Sequence, residues 1–312
     1  MERRTLGKEG PEISVVGYGA WEAGGDMWGP NESDEAVVQA IHAALSAGMN
    51  WIDTAEVYGD GRSEELVGRA IRGRGEEVHL FTKVAPRPAG SGFRPEQVKA
   101  AIRGSLARLG ADRVDLYQLH WPDGSVPVEE TWGAMADLQD EGLALHIGVS
   151  NFDRPLIERC EAIRPVESVQ NEFSLLYRED ARRLLPGLAE KGTGYLAYGP
   201  LAYGLLTGAI RTDTAFHPRD WRSGTMGMGA YSRLFASRNL QANLGKVDRL
   251  RPTAERLGTS LAALALRWVV EQRGVTAAIA GSRNSSHVAS NGAAGDLRLD
   301  EETLLEIEAI FA

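Results

Sequence analysis

A single cysteine, Cys160, occurs in the 312 residues, so no disulfide can close within the chain. It falls in the helix-like stretch 154–163 and reads as a buried structural thiol, which fits a reducing compartment. No apolar run reaches the ~18 residues a membrane span needs. The longest candidate, 261–270, is broken by Arg267. No apolar segment follows Met1-Glu2-Arg3-Arg4-Thr5, so no signal peptide is expected and the reading is a cytoplasmic protein away from membranes. Lys and Arg number 34 against 43 acidic residues, giving a net charge of −9, and they form no basic stripe. Nucleic-acid binding needs such a stripe and is not expected. A small anion needs only local positive groups and stays open. His42, His79 and His146 lack metal-ligand spacing, so no metal site is expected.

What is present is the composition of an ordinary globular chain, 43% hydrophobic and 25% charged. Its length suits one large barrel or two medium domains. Eight short β-rich runs recur at 14–17, 50–54, 78–84, 115–120, 146–149, 168–171, 194–198 and 276–280. Several are apolar throughout, as strands buried on both faces of a parallel sheet are. Helical patterns lie between them. Ser33 can cap a helix with the stripe Val37, Ile41, Ala44 and Leu45, ended by Gly48. Pro95 opens another with Val98, Ile102, Leu106 and Leu109, stopped by Gly110. Further helices fit 63–71, 128–140, 154–163, 181–191 and 260–272, with an extra terminal helix at 301–310.

Strand followed by helix, eight times, predicts an α/β fold: a closed (β/α)8 TIM barrel forming a single domain over residues 1–312. A doubly wound open sheet is the alternative, but no Gly-x-Gly-x-x-Gly follows the first strand. Residues 3–5 and 12–14 flank Gly7-Lys8-Glu9-Gly10 and predict an N-terminal β-hairpin that closes the barrel's bottom. No further repeat, linker or low-complexity segment is present. One long irregular stretch, 201–237, carries Gly, Pro, Arg and aromatic residues, and loops of that length in compact domains are functional or mobile.

Barrel active sites sit at the C-terminal strand ends. There the second strand gives Asp53 and then Tyr58, the third Lys83 and the fourth His120. Taken singly, Asp53 can be a loop carboxylate, Tyr58 a surface aromatic, His120 a core histidine, and Lys83–Asp53 a structural ion pair. Lys83 interrupts an apolar strand, and buried lysines are rare unless paired. Together the four suggest proton transfer to a carbonyl oxygen, because hydride addition creates an alkoxide that an acid must protonate. Free tyrosine ionises near ~10, and a neighbouring Lys83 ammonium would lower that value. Asp53 would keep Lys83 charged, and His120 could donate a hydrogen bond that orients the carbonyl.

The segments Gly48-Met49-Asn50-Trp51-Ile52-Asp53-Thr54-Ala55-Glu56-Val57-Tyr58-Gly59, Thr82-Lys83, Asp115-Leu116-Tyr117-Gln118-Leu119-His120 and Gly148-Val149-Ser150-Asn151-Phe152 resemble the aldo-keto reductase family, over nearly the whole chain. The resemblance implies Tyr58 as general acid, Lys83 and Asp53 as its tuning pair, and His120 as the carbonyl-orienting residue. It implies Ser150, Asn151 and Gln170 as the holders of a nicotinamide carboxamide, and Tyr198 as the ring stacked on nicotinamide. Gly199, Leu201 and Gly204 would let backbone approach the pyrophosphate. Gly281, Ser282, Arg283, His287 and Asn291 resemble an adenosine 2′-phosphate clamp, with Arg283 as a forked charge at a helix start. NADP(H) is thus expected rather than NAD(H). Ser290 stands where the family often has glutamate, and His287 where arginine or glutamine is common.

Gly19-Ala20-Trp21 follows a barrel strand, resembles the family's pocket rim and is counted with the cofactor contacts. Trp28, Trp121, Trp221 and Tyr231 could line an apolar pocket, whereas Trp132 and Trp268 read as core. The expected partner is a small carbonyl substrate, reduced to the alcohol; nothing in the sequence fixes an oligomeric state. Two alternatives keep the cofactor: an NADP(H)-binding sensor subunit of a channel, and an alcohol or polyol dehydrogenase working in reverse. A third is an isomerase or lyase on the same barrel, since fold alone does not fix function.

Overall fold

A computed structural model of the chain describes residues 1–25, 27–30, 33–74, 77–86, 93–226 and 229–312. Strands β1 (Arg3–Thr5) and β2 (Glu12–Ser14) pair antiparallel, with Arg3 opposite Ser14 and Thr5 opposite Glu12. Eight parallel strands follow: β3 (Val16–Gly19), β4 (Trp51–Asp53), β5 (His79–Val84), β6 (Val114–Leu119), β7 (Ala144–Ser150), β8 (Ser168–Glu172), β9 (Gly194–Tyr198) and β10 (Ala277–Ala280). They form a closed barrel in chain order, sealed where β10 pairs β3. This is the (β/α)8 barrel expected from the sequence, with its N-terminal hairpin. The first barrel strand begins at Val16, two residues later than expected, because Ser14 is engaged with Arg3 in the hairpin.

Alternation along the strands sorts the side chains. Trp51, Phe81, Leu116 and Leu196 turn inward and meet Leu6 and Ile13 of the hairpin segment, which plug the barrel's bottom. Gly17 has no side chain because the Trp51 indole occupies that space: a Cβ there would lie 2.1 Å from the ring. Two residues further along β4, β5 and β6, the same inward face carries Asp53, Lys83 and Gln118, so a polar layer rests on the apolar plug.

Ser33 caps the helix Asp34–Ser46, its hydroxyl accepting from the Ala36 N–H at 3.1 Å. Pro95 starts Pro95–Leu109, and Gly110 ends it at φ +66°. The expected helix 181–191 is two pieces, Asp180–Arg183 and Leu185–Lys191, with Leu184 at φ −126° between them. Pro186 lacks an N–H and its ring would collide with the carbonyl of Arg182 four residues back, which breaks the run. The 20-residue helix Ser237–Arg256 was not expected; Gly245 and Pro252 disguise it, although Val247, Leu250 and Ala254 bury a helical stripe. Asp300 caps the terminal helix Glu301–Phe311, which packs against Ser237–Arg256. Among its described residues, the stretch 201–237 holds short helical turns, Ala202–Thr207, Trp221–Ser223 and Gly229–Ser232, before the long helix begins. Cys160 is buried, and burial pushes its thiol up to about 12. Among the described residues no helix is long and apolar enough to cross a membrane.

Candidate active site

A cleft of about 890 Å³ opens at the C-terminal ends of the barrel strands. Every residue expected to be catalytic or cofactor-binding borders it except Lys83 and Arg283. Lys83 is fully buried beneath the floor, where its Nζ donates to Asp53 Oδ1 at 2.5 Å and to the Thr54 carbonyl at 2.9 Å. Tyr58 arrives from the turn after β4. Gly59, at φ +60°, lets that turn press on Gly24, whose carbonyl oxygen would be 2.4 Å from any Cβ there. The Tyr58 hydroxyl lies 3.4 Å from Lys83 Nζ and 3.4 Å from His120 Nε2. The four residues are therefore together, as their strand ends predicted.

Their electrostatics differ from expectation in one respect. Burial pushes the Tyr58 phenol well above its ordinary value, and the Asp53 carboxylate and Tyr231 add to the effect. Lys83 was expected to lower it. Its ammonium spends its short contacts on Asp53 and Thr54, and the long one to Tyr58 does not offset desolvation. Burial also pulls Lys83 below the usual lysine range, opposed by Asp53. Burial, with the nearby Lys83, holds His120 well below the usual imidazole range, so the ring is neutral.

That neutrality fixes a proton. His120 Nδ1 is buried without a hydrogen-bond partner. An unpaired buried N–H costs more than an unpaired lone pair, so the single proton belongs on Nε2. Tyr58 Oη then accepts from His120 and Lys83 with its two lone pairs, and its own O–H is left for the cleft.

The strand ends opposite are closely bonded. Asn151, at φ +62°, donates from Nδ2 to the His120 carbonyl at 2.9 Å and to Ser150 Oγ at 3.1 Å. Its Oδ1 accepts from the Tyr198 hydroxyl at 2.7 Å. Tyr198 also meets the Tyr231 hydroxyl at 2.9 Å. Gln170 Nε2 donates to Asp53 Oδ2 at 2.9 Å.

The aromatic wall is largely as expected. Trp21 meets the edge of Trp28 with centroids 5.0 Å apart and leans over Tyr58 at 6.2 Å. Trp121 stacks on the His120 ring at 3.8 Å. Trp221, expected at the pocket, is instead fully buried behind it, stacked 6.4 Å from Trp21. Its backbone N–H bond to the Met27 carbonyl and its ring's packing on Tyr203, Tyr231 and Phe235 make it the core of the loop. Trp132 and Trp268 are core residues.

Arg283 is placed differently from expectation. Its guanidinium donates to the carbonyls of Trp28, Gly29 and Pro30 at 2.8–3.1 Å and lies 3.8 Å from the Glu22 carboxylate. It straps down the loop that carries Trp28 instead of facing the cleft. Ser282 and His287 do border the cleft, beside the helix Ser285–Gly292, which Asn284 caps.

Among the cleft residues outside the expected set, three stand out for their polar groups. Tyr203, at φ +56°, donates to Glu172 at 3.1 Å. Arg222 reaches the Tyr203 carbonyl at 3.1 Å while bonded to Asp220. Glu22 is the third, and burial raises its carboxyl above the ordinary value. Tyr203 lies between Leu201 and Gly204, so the segment was marked though the side chain was not.

A closed parallel barrel with a polar cluster at the C-terminal strand ends defines a TIM-barrel enzyme architecture. The chain belongs to the aldo/keto reductase family, whose pattern it matches over residues 15–312. The family is one of oxidoreductases that bind a nicotinamide cofactor. Among its relatives, the aldo-keto reductase YhdN of Bacillus subtilis (strain 168) is 34% identical, covering 100% of this chain and 94% of that one. A probable voltage-gated potassium channel subunit beta of Oryza sativa subsp. japonica is 33% identical, covering 99% and 96%. Among solved structures, a glycerol dehydrogenase from Gluconobacter oxydans superposes with a TM-score of 0.85 at 33% identity, over 99% of this chain and 94% of that one. An aldo/keto reductase from Klebsiella pneumoniae in complex with NADP and acetate gives 0.76 at 29%, covering 100% and 96%.

Proposed function

We propose that this chain reduces aldehydes or ketones to alcohols with NADPH, Tyr58 serving as the proton donor. The observation that carries the reading is the Tyr58 hydroxyl, which borders the cleft and lies 3.4 Å from both Lys83 Nζ and His120 Nε2.

The residues fit a nicotinamide cofactor. Gln170 borders the cleft and has no bond to its Oε1, an acceptor suited to a carboxamide N–H2. Ser150, Asn151 and the Tyr198 ring flank it; Gly199, Leu201 and Gly204 are the proposed pyrophosphate segment, and Gly19, Ala20 and Trp21 the opposite rim. Gly281, Ser282, His287 and Asn291 are proposed for the adenosine end and its 2′-phosphate, which Arg283 would meet only by releasing the carbonyls of residues 28–30. When bound, the nicotinamide supplies a hydride.

The chain's own groups handle the charge and the proton. On substrate binding the His120 Nε2–H passes from Tyr58 Oη to the carbonyl oxygen, where with the Tyr58 O–H it favours the negative charge that develops there. An alkoxide is a far stronger base than a phenolate, so a Tyr58 proton held well above its ordinary pKa still transfers. Lys83 then faces the phenolate left behind, where its attraction is greatest. Trp21, Trp28 and Trp121 give the cleft an apolar wall beside the reacting atoms.

The test follows oxidation of NADPH, with NADH in parallel, against 4-nitrobenzaldehyde, methylglyoxal, pyridoxal and a simple ketone. Turnover that favours NADPH is the expected result. Tyr58→Phe should lose about 10²–10⁴-fold in rate while NADPH still quenches tryptophan fluorescence. Tight NADPH binding without turnover on any carbonyl overturns the reading in favour of a sensor, the class to which the channel-subunit relative points. Turnover only on polyols with NADP+ would favour the reverse direction, for which the glycerol dehydrogenase likeness speaks.

A further inference from the structure

The cleft floor holds two glutamines. Gln170 of β8 has a place in the reading above; Gln118 of β6 has none. Gln118 is the row partner of Lys83 on β5, and both are fully buried on the inward face of the barrel. Gly148 of β7 is next in that row and contributes no side chain.

The Gln170 amide nitrogen stands between two acceptors. It lies 2.9 Å from Asp53 Oδ2 and 3.5 Å from Gln118 Oε1. A carboxylate can only accept, so the group facing Asp53 must be N–H2. An amide nitrogen carries two protons, and Asp53 and Gln118 take one each. The nitrogen is thereby spent inside the protein, and Gln170 Oε1 is left unbonded at the cleft.

Gln118 is kept there at a cost. Its own Nε2 is buried without a hydrogen-bond partner. Such a group is destabilising, and a leucine of similar volume would avoid it. An unsatisfied buried amide that touches the reacting layer calls for an explanation, and its carbonyl contact to Gln170 supplies one.

We infer that Gln118 is a positioning residue. Its side-chain carbonyl, with the Asp53 carboxylate, orients the Gln170 amide so that the cleft presents an acceptor, which selects a ligand carrying an amide N–H2 over one carrying only a carbonyl. Asp53 thereby holds Lys83 with one oxygen and sets the polarity of the ligand subsite with the other. The inference rests on the nicotinamide reading of the cleft.

The experiment compares dissociation constants, read by tryptophan quenching, for NADP+ and for its 3-acetylpyridine analogue, in which a methyl ketone replaces the carboxamide. Wild type should favour NADP+ by about tenfold, the scale of one hydrogen bond with its orientation enforced. In Gln118→Leu the Asp53 carboxylate alone holds the amide, so the preference should fall part of the way, to about threefold, with a melting temperature equal to or above wild type. Gln118→Glu keeps an acceptor oxygen at the same reach and should restore the preference. A folded Gln118→Leu with the wild-type preference overturns the inference, as does an equal loss of affinity for both dinucleotides. Wild type that binds neither dinucleotide overturns the nicotinamide reading itself, and the inference with it.

Discussion

Lys83 has no exposed surface, and the carboxylate that balances it, Asp53 Oδ1, is 2.5 Å away. Replacing Asp53 alone with leucine strands an ammonium in the barrel interior. Breaking one side of a buried pair costs about 3–5 kcal/mol, whereas exchanging both partners for apolar residues of similar volume is close to neutral. An unfolding entropy of about 2.1 cal/mol/K per residue converts that range into a fall of about 5–8 °C in Tm for a chain of 312 residues. The double variant Asp53→Leu/Lys83→Met should melt within about 2–3 °C of wild type. Both variants should lack carbonyl reduction, so activity and stability separate. Calorimetry on the three proteins at neutral pH is the assay. If the single variant melts no lower than the double, Lys83 is not a buried charge in the folded protein, and the Lys83–Asp53 account of the site fails.

Three further outcomes are expected. Tyr58 keeps its proton because burial raises its pKa, so kcat for reduction should stay flat from about pH 6 to about pH 9. A loss of rate centred near neutrality would show that Lys83 dominates the phenol after all. Burial raises Glu172 from 4.5 to about 7. A raised folded pKa gives stability that is present at low pH and lost as the pH climbs through about 7. Glu172→Gln, which still accepts from Tyr203, should therefore gain on the order of 1–2 kcal/mol at alkaline pH and little as the pH falls toward 4.5; an equal gain at both ends would contradict the linkage. Arg283→Ala should weaken NADPH binding about tenfold more than NADH binding if the guanidinium meets the 2′-phosphate. Equal weakening of the two would leave Arg283 only the role seen here, a strap on the carbonyls of residues 28–30.

The barrel was legible because its signals are local. Strand runs such as 194–198 are continuous apolar segments, and caps such as Ser33 and stops such as Gly110 act within a few residues. Where a local signal misleads, the fold departs from it. Pro252 argues against a helix, yet long-range burial of Val247 and Leu250 outweighs it in Ser237–Arg256. Pro186 lies inside the helical pattern 181–191, and the helix divides at Leu184.

The site divides along the same line. That Asp53, Lys83, Gln118 and Gln170 share an interior follows from strand parity, which the sequence carries as alternation. Which atom each one meets depends on distances between strands far apart in the chain. Only the folded barrel decided that Lys83 spends its short bonds on Asp53 and Thr54, that Arg283 ties down the Trp28 loop, and that Trp221 lies behind the pocket. The same holds for proton affinities. Residue types set the starting values, but desolvation is a property of the packed interior, and it moved Tyr58 in the direction opposite to the one its lysine neighbour suggested.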